Sequence, residues 1–263
     1  MLETKKSAKR VWYSRTGGRI APNIDIGNTC TKFVCFDGDN VISEVRSDKG
    51  EYDKLLRLCS DYHFEKGICA AVSHTSSEFN HVLDSLPFPV LRFESGVTPV
   101  PIINKYKTPH TLGADRLAAA VGANYMQPGR DVLIIDVGTC ITFDFVNSSG
   151  EYLGGNISPG PTMRLKAFHE FTSKLPLIER RGEVSELGDT TELALRNGVY
   201  HGVRYEIEGY ITEFLRKYPQ LFVYLTGGVH LNLHFSEKMP IFADNFIVPR
   251  GLNRILEYNN GFL

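Results

Sequence analysis

The feature that most constrains the fold is a short motif that occurs twice in the 263-residue chain. D-I-G-N-T-C begins at Asp25, and D-V-G-T-C begins at Asp136, 111 positions later (136 − 25). In each copy an apolar run precedes the aspartate and a β-rich run follows the cysteine, so each copy predicts two strands joined by a tight turn. The duplication predicts two related α/β lobes, although two D-x-G turns can also arise by chance.

The order of the predicted elements is the same after each copy of the motif. Asn23–Phe36 predicts a strand, a turn and a strand, and Asn40–Arg46 predicts a third strand. Val132–Asp136, Ile141–Val146 and Tyr152–Ile157 predict three strands again. The other predicted helices are Tyr52–Tyr62, Ser77–Leu86, Pro161–Phe171, Thr191–Tyr218 and Arg250–Tyr258, and the other predicted strands are Gly67–Ser73, Pro89–Phe93 and Leu221–Leu225.

The shared order favours two related α/β lobes with a cleft between them. We predict an N-terminal lobe of residues 21–112, a C-terminal lobe of residues 113–263 and a disordered extension of residues 1–20. The extension is basic, but no apolar stretch follows it, which argues against a secretory signal.

The composition is that of a soluble globular protein, with 42% hydrophobic and 22% charged residues. A net charge of −1 provides no basic footprint for nucleic acid and no attraction to a membrane surface. No apolar run approaches the roughly 18 residues of a spanning helix. The five cysteines are odd in number and lack C-x-x-C spacing, so we expect free thiols and a cytoplasmic location.

The first hairpin carries the residue types that handle phosphate. Gly27 permits a close backbone approach, and backbone N–H groups together with the hydroxyls of Thr29 and Thr31 can face phosphate oxygens. Asp25 can approach the same phosphates only with a cation between them, and Mg²⁺ held by one carboxylate and substrate phosphate suits this arrangement. An ordinary hairpin turn is the alternative. A Walker-type loop is absent from the sequence.

The second hairpin offers a comparable set of oxygen ligands. Thr139 can donate to a phosphate, and Asp136 can bind a second cation or position water. Asp144 is more simply explained as a residue of an alternating strand. Thr226-Gly227-Gly228 follows an apolar strand and can either bring backbone close to an adenosine or form a tight turn.

The acceptor side is predicted at the start of an alanine-rich helix over Leu112–Ala120. Asp115 can cap this helix, with a dipole interaction of about 0.3–1 kcal/mol, or accept a hydroxyl proton. Arg116 has a planar fork that suits a carboxylate or phosphate. Gly154–Gly160 is predicted as a loop, either close to the acceptor or only a connector, and Thr190 or Thr191 can cap the next helix.

Taken together, these segments resemble the type III pantothenate kinases of the actin-like ATPase superfamily. Their order and approximate spacing match from Ile24 to the C-terminus, and the combination is specific although each fragment alone is weak. The segments are D-I-G-N-T-C-T-K, Y-K-T-P-H-T-L-G-A-D-R, D-V-G-T-C-I-T-F-D, G-G-N-I-S-P-G, G-D-T-T-E-L-A-L-R-N-G and T-G-G. The chain departs from the family at Cys140, where alanine is usual, and in its longer basic extension.

The resemblance implies an α/β fold of two related actin-like (ribonuclease H-like) lobes with mixed sheets and a nucleotide cleft between them. It implies ATP-dependent phosphorylation of pantothenate, the first step of coenzyme A biosynthesis, by a homodimer. It implies that Asp115 is the proton acceptor and that Asp136 binds a monovalent cation, K⁺ or NH₄⁺. The implied ATP-binding residues are Asp25, Ile26, Gly27, Asn28, Thr29, Cys30, Thr31, Lys32 and Thr139. The implied pantothenate-binding residues are Tyr106, Gly113, Ala114, Asp115, Arg116 and Thr191, with Thr190 a close alternative to Thr191.

Two other functions remain open from the sequence. One is a kinase of the same superfamily that acts on another small metabolite, such as a sugar or acetate. The other is a nucleotide-binding transcriptional accessory protein without turnover, which the retained Asp25, Asp115 and Asp136 disfavour. His230 and His234 lack a third metal ligand nearby and are interpreted as packed or solvated side chains.

Overall fold

The computed structural model describes residues 20–27, 30–48, 51–71, 76–228 and 241–260. The basic extension before residue 20, the turn residues Asn28 and Thr29, and the pair His230 and His234 lie outside the described residues. All six predicted helices are present, as α1 (Asp53–Asp61), α2 (Ser77–Asp84), α3 (Ala114–Met126), α4 (Pro161–Phe171), α5 (Thr191–Lys217) and α6 (Ile247–Tyr258). None of these helices has the length and apolar character that crossing a membrane requires.

The chain divides into two compact units. Unit 1 consists of the described parts of Met1–Pro101, His110–Ala118 and Pro249–Leu263, and unit 2 of those of Ile102–Pro109 and Ala119–Val248. His110–Ala118, which spans the predicted boundary after residue 112, therefore lies wholly in unit 1. The division into lobes of residues 21–112 and 113–263 remains a prediction.

Unit 1 is built on a five-stranded mixed sheet in the order β3-β2-β1-β4-β5. The first three strands pair antiparallel, whereas β4 and β5 run parallel to β1. The strands are β1 (Ile20–Ile26), β2 (Cys30–Asp37), β3 (Asn40–Asp48), β4 (Gly67–Ala71) and β5 (Val90–Phe93). Their apolar side chains, including Ile24, Phe33 and Leu55 of α1, form a buried core that fixes the end of β1.

Unit 2 repeats this arrangement with one strand more. Its strands are β6 (Ile103–Asn104), β7 (Val132–Val137), β8 (Cys140–Val146), β9 (Glu151–Pro159), β10 (Phe222–Thr226) and β11 (Ile241–Ala243). They form one sheet in the order β11-β10-β7-β8-β9-β6. β7, β8 and β9 pair antiparallel, and β10 and β11 run parallel to β7. One face packs on α5 through Val203, Ile207 and Ile211, whose spacing of four residues places them along one stripe.

The two units confirm the predicted duplication of an α/β fold. When β1 is matched to β7, the strand order, the directions and the hairpin correspond, and β6 is the addition at one edge. Each sheet also has a register shift, between Cys35 and Phe36 in one and between Phe145 and Val146 in the other. Both shifts begin five residues after the cysteine that ends the turn (35 − 30 and 145 − 140).

Two overlapping predictions for residues 154–157 are resolved. The strand predicted over Tyr152–Ile157 is confirmed, whereas the loop predicted over Gly154–Gly160 was wrong, because strand β9 continues to Pro159. Its glycines indicated a loop, but pairing with β8 keeps the segment extended, and a register shift there absorbs the irregularity. The short edge strands β6 and β11 were not predicted, because two or three residues carry no detectable alternation.

Candidate active site

The first hairpin closes where the sequence predicts a tight turn. The Gly27 N–H donates to the Cys30 carbonyl at 3.0 Å. Asp25 is half-buried at the end of β1 and lies opposite Lys32 in the antiparallel register. Thr31 is almost completely buried, so its hydroxyl is less open to a ligand than the sequence predicted. A carboxylate and a lysine therefore flank this turn on neighbouring strands.

The second hairpin closes in the same way with one residue fewer in its turn. The Gly138 N–H donates to the Cys140 carbonyl at 2.9 Å, and Thr139 between them is exposed. The Thr139 carbonyl in turn accepts the N–H of Gly160 at 3.0 Å, where α4 begins. The turn is thus fixed by backbone bonds, which leave the Thr139 side chain at the surface.

Asp136 lies between two hydroxyl-bearing residues of its sheet. It is opposite Thr142 in β8 and opposite Thr226 in β10. Residues in register on neighbouring strands share a face, so one carboxylate and two hydroxyls line up across three strands. Oxygen donors of this kind suit a hard cation.

The T-G-G turn after β10 has a structural reason of its own. Gly227 has φ of +117°, and a Cβ at this position would lie 2.3 Å from the Val137 carbonyl oxygen. Only glycine combines that backbone conformation with such a close approach. The tight-turn interpretation of Thr226-Gly227-Gly228 therefore holds in unit 2, whether or not a nucleotide also binds there.

The start of α3 holds the predicted proton acceptor in a defined orientation. The Asp115 Oδ1 accepts the backbone N–H of Arg116 at 2.8 Å, and the Gly113 carbonyl accepts the N–H of Leu117 at 3.1 Å. A Cβ on Gly113 would lie 2.5 Å from that same Oδ1, so the carboxylate occupies space that any other residue would fill. Arg116 is buried, with 6% of its surface exposed. The carboxylate takes part in local capping and remains fixed at the helix start.

A cavity of about 660 Å³ in unit 1 opens beside this helix start. Gly113 and Ala114 line it together with Ala71 and Phe93, the last residues of β4 and β5. The carboxyl ends of parallel strands are the usual ligand-binding edge of such sheets. Two of the residues that match the family's acceptor contacts thus lie on the wall of a substrate-sized cavity.

The thiol of Cys69 connects this cavity with the first hairpin. Burial raises the pKa of Cys69 to about 12; Arg92 acts in the opposite direction, and the Asp25 carboxylate adds to the rise. Cys69 and Arg92 both line the cavity. In the pairing of β1 with β4, Asp25 lies opposite Ala70, the residue that follows Cys69.

In unit 2, Tyr106 belongs to an aromatic and carboxylate cluster that the sequence did not reveal. Its ring centroid lies 6.1 Å from that of the fully buried Tyr152, whose hydroxyl donates to the Asp144 Oδ1 at 2.7 Å. Asn104 Oδ1 accepts the Tyr106 N–H at 2.9 Å. Asp144 is therefore a buried hydrogen-bond acceptor behind a predicted substrate contact, whereas the sequence favoured a plain strand residue.

The two threonines before α5 have different local roles. Thr190 is the N-cap, and its hydroxyl accepts the N–H of Leu193 at 3.2 Å. The predicted capping role thus falls to Thr190. Thr191 is the first residue of the helix and is exposed.

No group of three or more His, Cys, Asp or Glu side chains suited to a metal ion occurs in the described part of the chain. Within the described residues, Asp25 and Asp136 therefore belong to no such group. A cation bound by one carboxylate, hydroxyls and substrate phosphate requires no such cluster, and the donor set around Asp136 fits this kind of site.

The duplicated α/β fold, with a matching hairpin in each unit, defines a protein of the actin-like ATPase fold. A crystal structure of a conserved Baf family protein from Campylobacter jejuni, proposed to be a transcriptional activator, superposes with a TM-score of 0.59 at 20% identity over 91% of this chain and 99% of that one. A Listeria monocytogenes protein proposed to be an N-acetylmannosamine kinase gives a TM-score of 0.51 at 12% identity over 92% and 99%. Similarity at these identities shows the fold.

The chain belongs to the type III pantothenate kinase family, whose sequence profile matches residues 23–213. A type III pantothenate kinase of Phocaeicola vulgatus is 49% identical over 237 residues, which cover 90% of this chain and 98% of that protein. This membership agrees with the resemblance carried by the motifs.

Proposed function

We propose that this protein transfers the γ-phosphoryl group of ATP to the primary hydroxyl of pantothenate, giving 4′-phosphopantothenate and ADP in the first step of coenzyme A biosynthesis. The observation that carries the proposal is the Asp115 carboxylate, oriented at the helix start beside the cavity of unit 1 in a member of this family. Pantothenate offers an alcohol as the nucleophile, and a fixed carboxylate is the group that such a nucleophile requires.

In the reaction Asp115 accepts the hydroxyl proton as the pantothenate oxygen forms its bond to the γ-phosphorus. The bond from that phosphorus to the bridging oxygen breaks, and its electron pair leaves with ADP. Phosphoryl transfer depends chiefly on positioning and charge stabilisation, so the main contribution of Asp115 is to orient the nucleophile. The hydrogen bond from the Arg116 N–H supports that role because it fixes the carboxylate.

We assign ATP to the two hairpins, with Asp25–Lys32 and Thr139 as its contacts. The exposed Thr139 side chain on a turn held by backbone bonds, and Lys32 opposite Asp25, support this assignment. Mg²⁺ bound to ATP neutralises phosphate charge, and Asp25 is the carboxylate proposed to hold it through the phosphates.

We assign the monovalent cation, K⁺ or NH₄⁺, to Asp136. Its position between Thr142 and Thr226 supports this proposal, since all three side chains present oxygen donors. A bound cation supplies positive charge beside the nucleotide.

For pantothenate we propose Tyr106, the Gly113–Arg116 segment and Thr191 as contacts. Because the Thr190 hydroxyl is engaged in capping α5, Thr191 is the better candidate of the two threonines. We further propose a homodimer. Apolar side chains at the surface of unit 2 support a partner there: Ile157 is 62% exposed, Phe171 86% and Leu187 84%.

The test is ADP release in a coupled assay with purified protein, with and without pantothenate, in buffers with and without K⁺. We expect ADP release that depends on pantothenate and increases with K⁺. Asp115→Asn keeps the size of the side chain but removes its basicity, so it should lower kcat by about 10²–10⁴-fold while nucleotide binding stays intact.

A panel of sugars, acetate and other small hydroxylated or carboxylated metabolites is the matched control in that assay. Turnover with another acceptor and none with pantothenate would assign the protein to another reaction of the superfamily. ATP binding without ADP release on any acceptor would indicate a protein without turnover. Equal loss of ATP binding and turnover in Asp115→Asn would contradict the role given to Asp115.

A further inference from the structure

The cavity of unit 1 contains a buried hydroxyl that no motif predicts. Ser95 follows β5, lines the cavity and is only 9% exposed. Its Oγ has no hydrogen-bond partner among the residues that the structure describes. A buried polar atom of this kind destabilises the protein unless a ligand or water satisfies it.

The turn that carries Ser95 is rigid. The Glu94 carbonyl accepts the N–H groups of Val97 at 3.2 Å and Thr98 at 2.9 Å, and the Glu94 N–H donates to the Thr98 Oγ1 at 3.0 Å. These bonds hold residues 94–98 in one conformation. The bonds of this turn thus hold the Ser95 backbone at the cavity wall.

Arg92, a charged residue of β5 on the cavity wall, is already engaged. The Arg92 guanidinium on the cavity wall donates to the Asn80 Oδ1 and to the Asp84 Oδ1, both at 2.7 Å. Ser95 differs from it in being buried and unsatisfied. A group entering the cavity would therefore find in Ser95 a hydrogen-bonding site that no described neighbour competes for.

We infer that Ser95 is a specificity-determining residue, whose hydroxyl binds a polar group of the acceptor substrate. The acceptor is the favoured occupant because Gly113 and Ala114, beside the proposed proton acceptor Asp115, line the same cavity. A serine hydroxyl both donates and accepts, so it can pair with the carboxylate, amide or hydroxyl groups that pantothenate carries. This inference rests on the proposed function.

The test is Ser95→Ala, compared with the wild-type protein in the ADP-release assay and by direct titration with pantothenate. Loss of one hydrogen bond to the acceptor should raise the KM and Kd for pantothenate about tenfold, the factor that corresponds to about 1.4 kcal/mol. The KM for ATP should stay within twofold. The melting temperature should not fall, since the substitution removes an unsatisfied group. Ser95→Thr, which retains a hydroxyl, should recover most of the affinity.

Ser149→Ala is the control, because Ser149 is an exposed serine in a turn of unit 2. Unchanged pantothenate affinity in a folded Ser95→Ala protein would overturn the inference. So would a fall in melting temperature with equal loss of ATP and pantothenate binding, which would give Ser95 a structural role. If the wild-type protein does not phosphorylate pantothenate, the proposed function fails, and the comparison is made with the acceptor that is phosphorylated.

Discussion

Replacing Gly113 with alanine should damage catalysis without unfolding the protein. The added Cβ would lie 2.5 Å from the Asp115 Oδ1, whereas an ordinary contact begins at 3.4 Å, so the two atoms must separate by about 0.9 Å (3.4 − 2.5). The Gly113 backbone is outside the left-handed region, so alanine introduces no backbone strain there. The Asp115 carboxylate is the movable partner, because it is a side-chain end and the helix start is not.

The expected size of the effect follows from that displacement. Moving the carboxylate by about 1 Å breaks the 2.8 Å hydrogen bond with the Arg116 N–H and misplaces the proton acceptor. A misplacement of about 1 Å lowers rates by about 10²-fold, which corresponds to about 2.7 kcal/mol in the activation free energy. The KM for ATP should stay within about twofold, since the ATP contacts are assigned to the hairpins.

The assay is steady-state ADP release with pantothenate, together with the melting temperature of each protein. Gly209→Ala is the matched control: Gly209 lies within α5, a Cβ there would meet no described atom within 4 Å, and alanine should stabilise the helix by about 1 kcal/mol. A folded Gly113→Ala protein with kcat within threefold of the wild type would refute the reasoning. If that variant does not fold, Asp115→Asn tests the same carboxylate without added volume.

Two further predictions concern stability. Gly227→Ala should lower the free energy of unfolding in urea by about 3 kcal/mol or more. The φ of +117° and the Val137 carbonyl oxygen, 2.3 Å from the position of a Cβ, leave no place for the added methyl group. A loss below about 1 kcal/mol would contradict this account. Burial raises the pKa of the Cys35 and Cys69 thiols from 9.0 to about 12. The unfolded chain therefore releases these protons at a lower pH than the folded chain does. The thiols make their full contribution to the free energy of unfolding below pH 9, and this contribution is lost as the pH rises towards 12. Unfolding free energies measured from pH 8 to pH 11 should therefore fall above pH 9 in the wild type and less steeply in Cys35→Ala.

The fold was predictable from the sequence because its signal is repeated. Asn23–Phe36 contains an apolar run and a tight turn, and the apolar run Val132–Asp136 leads into a second such turn. Because the pattern occurs twice, chance does not explain it. The matching register shifts at Cys35 and Phe145 were not predictable, since a bulge depends on pairing between strands rather than on local composition. The same limitation explains why glycines in β9 indicated a loop, although pairing with β8 makes that segment a strand.

For the candidate site, the sequence located the residues carried by motifs and missed those defined by burial. Gly113 and Asp115 belong to a recognisable segment, and the structure adds the reason why they occur together. Ser95 lies outside every motif, and the D-V-G-T-C-I-T-F-D segment that ends at Asp144 gave no sign of the Asp144–Tyr152 hydrogen bond. The position of Ser95 just after the predicted strand Pro89–Phe93 was the available signal, because polar residues at the carboxyl ends of parallel strands commonly face ligands. Burial and the absence of a described partner are properties that only three-dimensional packing reveals.

The two hairpins show how a duplicated frame can support different chemistry at equivalent positions. Both turns close from a glycine N–H to a cysteine carbonyl, so the backbone geometry around Asp25 and Asp136 is held in the same way. Their neighbours in register differ: Asp25 lies between Lys32 and Ala70, whereas Asp136 lies between two threonines. A lysine ammonium attracts phosphate, while neutral hydroxyls add ligands without adding charge. The residues flanking each aspartate, rather than the shared motif, therefore favour Mg²⁺ held through phosphate beside Asp25 and a directly bound monovalent cation at Asp136.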